Sequence, residues 1–539
     1  MALFDVADLA VTIHTGNRAS GRRAVRAVES FSFSVQAGET AAMVGESGSG
    51  KSVSLLAATR LLGTRAQVSG SVRFDGRDLL TLSDRELRGV LGKHIGFVFQ
   101  DPQSNLHPFK TVGNQIDEVL RIHTRHNRTA RRTRVEELLE EVGIADASRA
   151  RRHYPAEFSG GMRQRVMIAM AIALNPALII ADEPTTALDV SVQADILRLL
   201  KRLQDEHGTA ILFVSHDLGV VHEIADTVTV VKDGRVVESG PREQIYRAPR
   251  EQYTRDLLAA SALHTLGGRG AGERGTEPLL VVDNLRKSYR SRGRRDRKTV
   301  IEDLSFTVDR GEIVGVVGES GSGKSTVGRI VAGLQYADAG TIVLDGYQLP
   351  TAVDDGVPRL APRTRRIVQM VFQDPYSSLN PRRTAGDSIA EPLRAQRVPN
   401  AEVTARVREA ATQARLSTDL LQRPPAALSG GQRQRVAIAR ALVLDPALIV
   451  ADEALSALDV TTQAEIIHLI EQLARERDTA FLFITHDLGV VSSVAHRVIV
   501  LAPDGVAEIG RTAEVFAAPQ SAYTRRLLDA VPRLEAAVS

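Results

Sequence analysis

The chain has no cysteine among its 539 residues, which excludes disulfides, Cys-ligated zinc and iron–sulfur clusters and fits a reducing compartment. It also has no uninterrupted apolar run long enough to cross a bilayer. The nearest, residues 166–181, is broken by Asn175 and Pro176 and ends against Asp182 and Glu183, so any role at a membrane is expected to run through partners. The first residues, MALFDVADLAVTIHTG, lack the basic start and apolar stretch of a signal peptide. An excess of either charge is lacking too. The 68 Lys and Arg against 65 Asp and Glu leave a net charge of only +3, which makes no electrostatic case for nucleic acid. Apolar residues, by contrast, make up 43% of the chain, enough at this length for at least two separate cores.

One eight-residue string, GESGSGKS, occurs at 45–52 and again at 318–325. Both copies fit G-x-x-x-x-G-K-[ST], in which backbone N–H groups cradle phosphates, Lys reaches the β- and γ-phosphates and the hydroxyl ligates Mg²⁺. Phosphate contacts are therefore expected from Gly45, Ser47, Gly48, Ser49, Gly50, Lys51, Ser52 and Val53. The second copy offers Gly318, Ser320, Gly321, Ser322, Gly323, Lys324, Ser325 and Thr326. Each loop follows a β-rich run and opens a helix, so the positive end of a helix dipole faces the phosphates. The repeat reaches well beyond the loops: Gln100 and Gln373 keep the loop offset of 273 residues, while Ser159 and Ser429, Asp182 and Asp452, and His216 and His486 are offset by 270. A tandem duplication explains this, with halves at 1–260 and 278–539 and a Gly-rich linker at 261–277.

Short runs rich in Val, Ile and Phe (40–44, 177–181, 210–214 and their counterparts 313–317, 447–451, 480–484) read as buried parallel strands of an α/β sheet, with motifs at the strand ends. Residues 100–159 and 373–429 are helical and charged in pattern, as an inserted helical subdomain would be. Two of the strands, ALIIADE at 177–183 and ALIVADE at 447–453, end in paired carboxylates. The division of labour expected of them gives Mg²⁺ to Asp182 and Asp452 and polarisation of an attacking water to Glu183 and Glu453. His216 and His486 each lie 33 residues beyond that glutamate, directly after a strand, and are read as γ-phosphate contacts. His123 and His126 read as a solvated helix face, and the basic tract 290–298 as a solvated hairpin tip.

FSGGMRQR at 158–165 and LSGGQRQR at 428–435 resemble the signature motif of the ATP-binding cassette ATPases. Gln100 and Gln373 in FQDP, the ALD at 187–189 and 457–459, and the HDLGV stretches starting at His216 and His486 complete the family's order of motifs in both halves. The resemblance covers almost the whole chain. It implies an α/β fold of two tandem ABC-type P-loop NTPase domains, each a RecA-like core with an antiparallel β part and an inserted helical subdomain. It implies ATP and Mg²⁺ as cofactors, with Ser52, Gln100 and Asp182, and Ser325, Gln373 and Asp452, around the metal. Glu183, Glu453, His216 and His486 become the catalytic residues. The halves are expected to pair head to tail. The first loop would then be closed by Ser429, Gly430, Gly431 and Gln432, and the second by Ser159, Gly160, Gly161 and Met162.

Two departures bear on equality of the sites. Met162 stands where the other signature has Gln432, and the adenine-stacking aromatic implied by the family is matched by Tyr289, whereas the first half has Ile13. Two competent sites of unequal affinity or rate are expected. The stretches at 248–260 and 518–534, each with Ala-Pro followed by Tyr-Thr-Arg, are similar to the C-terminal element of dipeptide/oligopeptide importer ATPases. That implies an energising subunit for peptide import, peripheral at the cytoplasmic face of the cell membrane. It would work with two transmembrane permease subunits and, indirectly, an extracellular substrate-binding protein, and without nucleic acid or a metal cluster. A nickel or other solute importer, and a cytosolic ABC ATPase acting on ribosome or DNA, are the alternatives.

Overall fold

The computed structural model describes residues 2–15, 23–63, 66–186, 188–262, 278–290, 297–352, 356–455 and 458–531. Two compact units emerge, one from residues 2–188 and 192–262 and one from residues 189–191 and 278–531. Of the expected linker 261–277, only Ser261 and Ala262 fall among the described residues, closing the helix Gln252–Ala262. Residues 291–296 of the basic tract also lie outside them.

Five short strands of the first unit form a parallel sheet in the order Thr227–Lys232, Thr40–Val44, Ala210–Ser215, Leu178–Asp182, Ile95–Val98. Arg235–Pro241 turns back antiparallel on the first of these. Through one pairing, Arg235 with Ser30, the sheet continues into the antiparallel strands Arg23–Val35, Phe4–Thr15, Ala66–Phe74 and Arg77–Asp78. Both faces of the parallel strands are covered, which is why their sequences are apolar throughout. The two-residue period of a strand still sorts their side chains. Leu178, Ile180, Leu212 and Val214 pack with Leu55, Phe4 and Phe31 on the antiparallel side. Ile179, Ala181, Ile211 and Phe213 pack with Val166, Ile168, Leu199, Leu203 and Leu218 on the helical side. Helices Val112–His123 and Arg128–Glu141 lie in the connection between the neighbouring strands Ile95–Val98 and Leu178–Asp182, forming the inserted subdomain. Thr111 and Asn127 cap them by accepting the N–H of Asn114 and Ala130.

The second unit repeats this plan. Its parallel order is Arg497–Ala502, Ile313–Val317, Ala480–Ile484, Leu448–Asp452, Val368–Val371, with Gly505–Arg511 antiparallel at the edge. Arg297–Asp309, Pro278–Arg290, Ala339–Leu344 and Tyr347–Gln348 form a separate antiparallel sheet. Even the irregularities are duplicated. Asp8 (φ 50°) and Asn284 (φ 49°) interrupt the register of their strands, and each gives its N–H to a serine hydroxyl, Ser32 at 3.0 Å and Ser305 at 2.9 Å. Gly70 and Gly340 cross these bulges so closely that a Cβ would lie 2.6 and 2.5 Å from the carbonyl oxygens of Asp8 and Asn284; only glycine fits there.

Three residues past the bulge the units part. In the first, Val11 is fully buried and pairs with Val68. In the second, the fully buried residue is Lys287, whose ammonium lies 2.9 Å from Asp338. Asp338 also accepts the Ser288 N–H at 2.8 Å and the Arg297 guanidinium at 3.1 Å. Burial pushes its carboxyl up, and the hydrogen bonds from Lys287 and Ser288 more than offset this, so it stays below the usual carboxylate range. Desolvating two charges cancels much of their attraction, whereas stranding one is costly. Asp338→Ala is therefore expected to lower unfolding stability by about 3–5 kcal/mol in urea titrations. Lys287→Val combined with Asp338→Val, which copies the first unit, is expected to recover most of that loss.

Candidate nucleotide sites

Each glycine-rich loop leads from a buried strand into a helix: Thr40–Val44 into Lys51–Ala58, and Ile313–Val317 into Lys324–Val331. Gly45 and Gly318 lie against the carbonyl oxygens of Val231 and Leu501, where a Cβ would sit 2.1 Å away. Gly50 and Gly323, both at φ 98°, make the left-handed turn into the helix. Between them Ser47, Gly48 and Ser49, and Ser320, Gly321 and Ser322, complete the loops. The Lys51 ammonium donates to the carbonyl oxygens of Gly45 and Glu46 at 2.7 and 2.8 Å, and Lys324 to those of Gly318 and Glu319 at 2.6 and 2.8 Å. Burial pulls the Lys324 ammonium below its usual pKa. A buried cation beside a helix N-terminus, whose first N–H groups have no intrahelical partner, makes each loop a receptor for a polyanion. The loops thus fit a nucleotide triphosphate.

The strand-end carboxylates meet these loops. Ser52 donates to Asp182 Oδ1 at 3.0 Å, and Ser325 to Asp452 Oδ1 at 2.9 Å. Burial raises the Asp182 carboxyl to about 6 against the pull of the Ser52 hydrogen bond, and burial raises Asp452 likewise. A hydroxyl beside a desolvated carboxylate is hard oxygen chemistry suited to Mg²⁺.

The adjacent glutamates form a second cluster. Glu183 Oε2 accepts from Gln100 Nε2 at 2.8 Å and Thr186 Oγ1 at 3.0 Å, while Oε1 lies 3.4 Å from His216 Nδ1. Glu453 Oε2 accepts from Gln373 Nε2 at 2.5 Å, and its Oε1 lies 3.5 Å from His486 Nδ1. Burial alone would raise the Glu183 carboxyl, but its hydrogen bond and ion pair with His216 take it down to about 2; His486 likewise lowers Glu453, and both histidines are raised. Both glutamates also hold the left-handed region, at φ 47° and 46°, a strained conformation that the strand-end turn imposes. The amide nitrogens of Gln100 and Gln373 are turned to the glutamates, which leaves Oε1 as the atom for a cation. Thr186 was not anticipated from sequence. Its only signal is the position three residues after Glu183; the matching Ser456 lies outside the described residues.

Ser159 and Ser429 cap the helices Gly160–Ile172 and Gly430–Leu442, accepting the N–H of Met162 and Gln432. Gly161 and Gly431 are pressed against Val192 and Thr462, whose methyl carbons lie 2.3 and 2.6 Å from a built Cβ. Gln432 Oε1 accepts the Ser429 N–H at 3.0 Å. The amide expected to serve nucleotide or the facing half thus closes a capping box on its own helix, which Met162 is unable to do.

The C-terminal stretches are anchored by acids that sequence reading passed over, Glu238 buried and Glu508 half-buried. Glu238 accepts the N–H of Arg250 and Glu251, and Glu508 those of Gln520 and Ser521. In the second unit, Tyr523 of the helix Ala522–Asp529 accepts the Glu319 N–H at 3.1 Å, so this element touches the phosphate loop itself. No helix among the described residues is long and apolar enough to cross a membrane.

The ABC transporter family profile matches residues 28–186 and 301–456, and the profile of the oligopeptide/dipeptide transporter C-terminal region matches 507–539. The chain is 44% identical, over 95% of its own length and 87% of theirs, to the glutathione import ATP-binding proteins GsiA of Escherichia coli K12 and Shigella dysenteriae. A dimeric ATP-binding cassette in a post-hydrolysis state, bound to ADP and Pi, aligns with 44% of this chain and 98% of its own at 32% identity and a TM-score of 0.39. The chain belongs to the ABC transporter family, as an ATPase polypeptide with two cassettes and the C-terminal region of the oligopeptide/dipeptide transporters.

Proposed function

We propose that this chain powers the import of short peptides, a class that includes the glutathione named for its relatives, by binding and hydrolysing two ATP at the cytoplasmic face of a membrane. The observation that carries the reading is that each unit assembles the full set: a buried loop lysine, a Ser–Asp pair, and a glutamate held by Gln and His. Lys51 and Lys324 bind the phosphates, with the loop glycines Gly45 and Gly318 and the neighbouring loop residues. Mg²⁺, when bound to Ser52, Asp182 and Gln100, or to Ser325, Asp452 and Gln373, neutralises phosphate charge. Tyr289 serves as the platform for the base in the second loop. By family analogy the signature residues Ser429, Gly430, Gly431 and Gln432 close the first nucleotide, and Ser159, Gly160, Gly161 and Met162 the second. The domain division at 1–260, 261–277 and 278–539 belongs to the same reading, as do two permease subunits and an external binding protein.

Glu183 and Glu453, ionised and each held by a Gln and a His, are weak bases as placed. That suits phosphoryl transfer, whose loose transition state asks mainly for a positioned nucleophile and charge stabilisation. Orienting the attacking water through an ionised carboxylate, with His216 or His486 steering that carboxylate, meets the demand. Gln100 and Gln373 must release or share the carboxylate when water takes its place, so the arrangement is a resting one.

Glu183→Gln and Glu453→Gln, each made singly in the chain assembled with its permeases, are expected to reduce ATP turnover, the double variant by about 10²–10⁴-fold; full activity in both single variants would overturn the two-site reading. Uptake of a radiolabelled tripeptide into vesicles carrying the complex and its binding protein is expected to stop in the double variant. Uptake of nickel in place of peptide would assign the transporter to a different solute.

A further inference from the structure

Tyr289 sits in an environment that the first unit does not reproduce at any of the matching positions. Its hydroxyl accepts a hydrogen bond from Gln335 Nε2 at 2.7 Å and lies 3.2 Å from Thr326 Oγ1, to which it is free to donate. Thr326 is in the first turn of the phosphate-loop helix, directly after Ser325. Gln335 lies just beyond the end of the same helix. The tyrosine's own strand, Pro278–Arg290, is gripped one residue earlier, where the part-buried Asp338 accepts the Ser288 N–H and Arg297 donates to the Ser288 carbonyl. The ring is therefore fixed at both ends, its backbone to the antiparallel sheet and its hydroxyl to the helix that receives phosphate.

Matching positions in the first unit follow from the bulge at Asp8 and Asn284 and from the aligned loops. Ile13 stands for Tyr289, Val53 for Thr326, Leu62 for Gln335, and the Val11–Val68 pair for Lys287–Asp338. Ile13, Val53 and Leu62 pack as partly buried hydrophobics on the same core cluster. All five differences run one way, from apolar to hydrogen-bonding, and all converge on one aromatic ring. Loss of χ freedom is a cost of placing any side chain against a ligand, and here the hydroxyl tether removes that freedom before a ligand arrives.

Resting on the nucleotide reading above, we propose that Gln335 is a positioning residue, acting with Thr326, that pre-orients Tyr289 as the platform for the purine base. The second loop accordingly takes ATP more tightly than the first, and the difference resides in the base and not in the phosphates. The first site holds its nucleotide chiefly through the phosphate loop.

The test uses the full chain with Glu183→Gln and Glu453→Gln to stop hydrolysis and Lys51→Ala to silence the first loop. Equilibrium binding of ATP and of inorganic tripolyphosphate, which has no base, is then compared. Gln335→Leu is expected to weaken ATP about 3–10-fold, the worth of one hydrogen bond, and to leave tripolyphosphate unchanged. Gln335→Glu, which accepts from the hydroxyl instead, is expected to restore most of the affinity. In a Tyr289→Phe background Gln335→Leu is expected to have no further effect, because the shared contact is already gone. Unchanged ATP affinity, an equal loss of tripolyphosphate, or full additivity with Tyr289→Phe would each overturn the proposal. Failure of ATP to bind with Gln335 in place would overturn the nucleotide reading and this proposal with it.

Discussion

The functional groups depend on one constraint, the parallel alignment of four neighbouring strands. Thr40–Val44, Ala210–Ser215, Leu178–Asp182 and Ile95–Val98 run side by side in the same direction. Their C-terminal ends therefore open on one edge, and the phosphate loop, His216, Glu183 and Gln100 lie within two residues of those ends. A ligand crevice at the carboxyl ends of a parallel sheet is the general expectation for open α/β sheets. Here its physical content is that residues more than a hundred apart in sequence come within hydrogen-bond distance without any long loop. The second unit reaches the same arrangement with Ile313–Val317, Ala480–Ile484, Leu448–Asp452 and Val368–Val371.

That edge carries charges the sheet would otherwise exclude. Lys51 and Asp182 are each about 5% exposed or less, and a buried charge survives only where partners compensate it. The loop carbonyls compensate the lysine, the serine hydroxyl the aspartate, and His216 the glutamate. Each compensation is local, made by groups of the edge itself, and the same groups are the ones a polyanion and a divalent cation would engage. Stability and function therefore draw on the same few contacts there. The Lys287–Asp338 pair is different, since Val11 and Val68 solve the same packing problem without charge.

Duplication makes such comparisons possible within one chain. Both loops are the same string, both glutamates adopt the same left-handed backbone, and both bulges use a serine hydroxyl and a crossing glycine. Against that sameness, the cluster of polar substitutions around Tyr289 stands out as the largest divergence described above. The signature helices diverge in a smaller way. Gln432 spends its amide on its own N-terminus, so its difference from Met162 acts first on helix capping.

The residues alone determined the chemistry and its order along the chain. The loop lysines and serines, the Asp–Glu strand ends, Gln100, Gln373, His216 and His486 are motifs whose spacing is local, and a turn of glycines or a strand ending in acids carries its meaning within a few residues. Fold class was legible for the same reason, because strands buried on both faces are apolar throughout and helices are not. Tertiary structure decided which of these groups touch. That Gln100 faces Glu183, that Tyr523 reaches the Glu319 N–H, and that Gln335 holds the Tyr289 hydroxyl are contacts between strands, helix ends and loops far apart in sequence. No local pattern encodes them. A hydrogen bond depends on distances of a few tenths of an ångström, and only the packing of whole elements sets those.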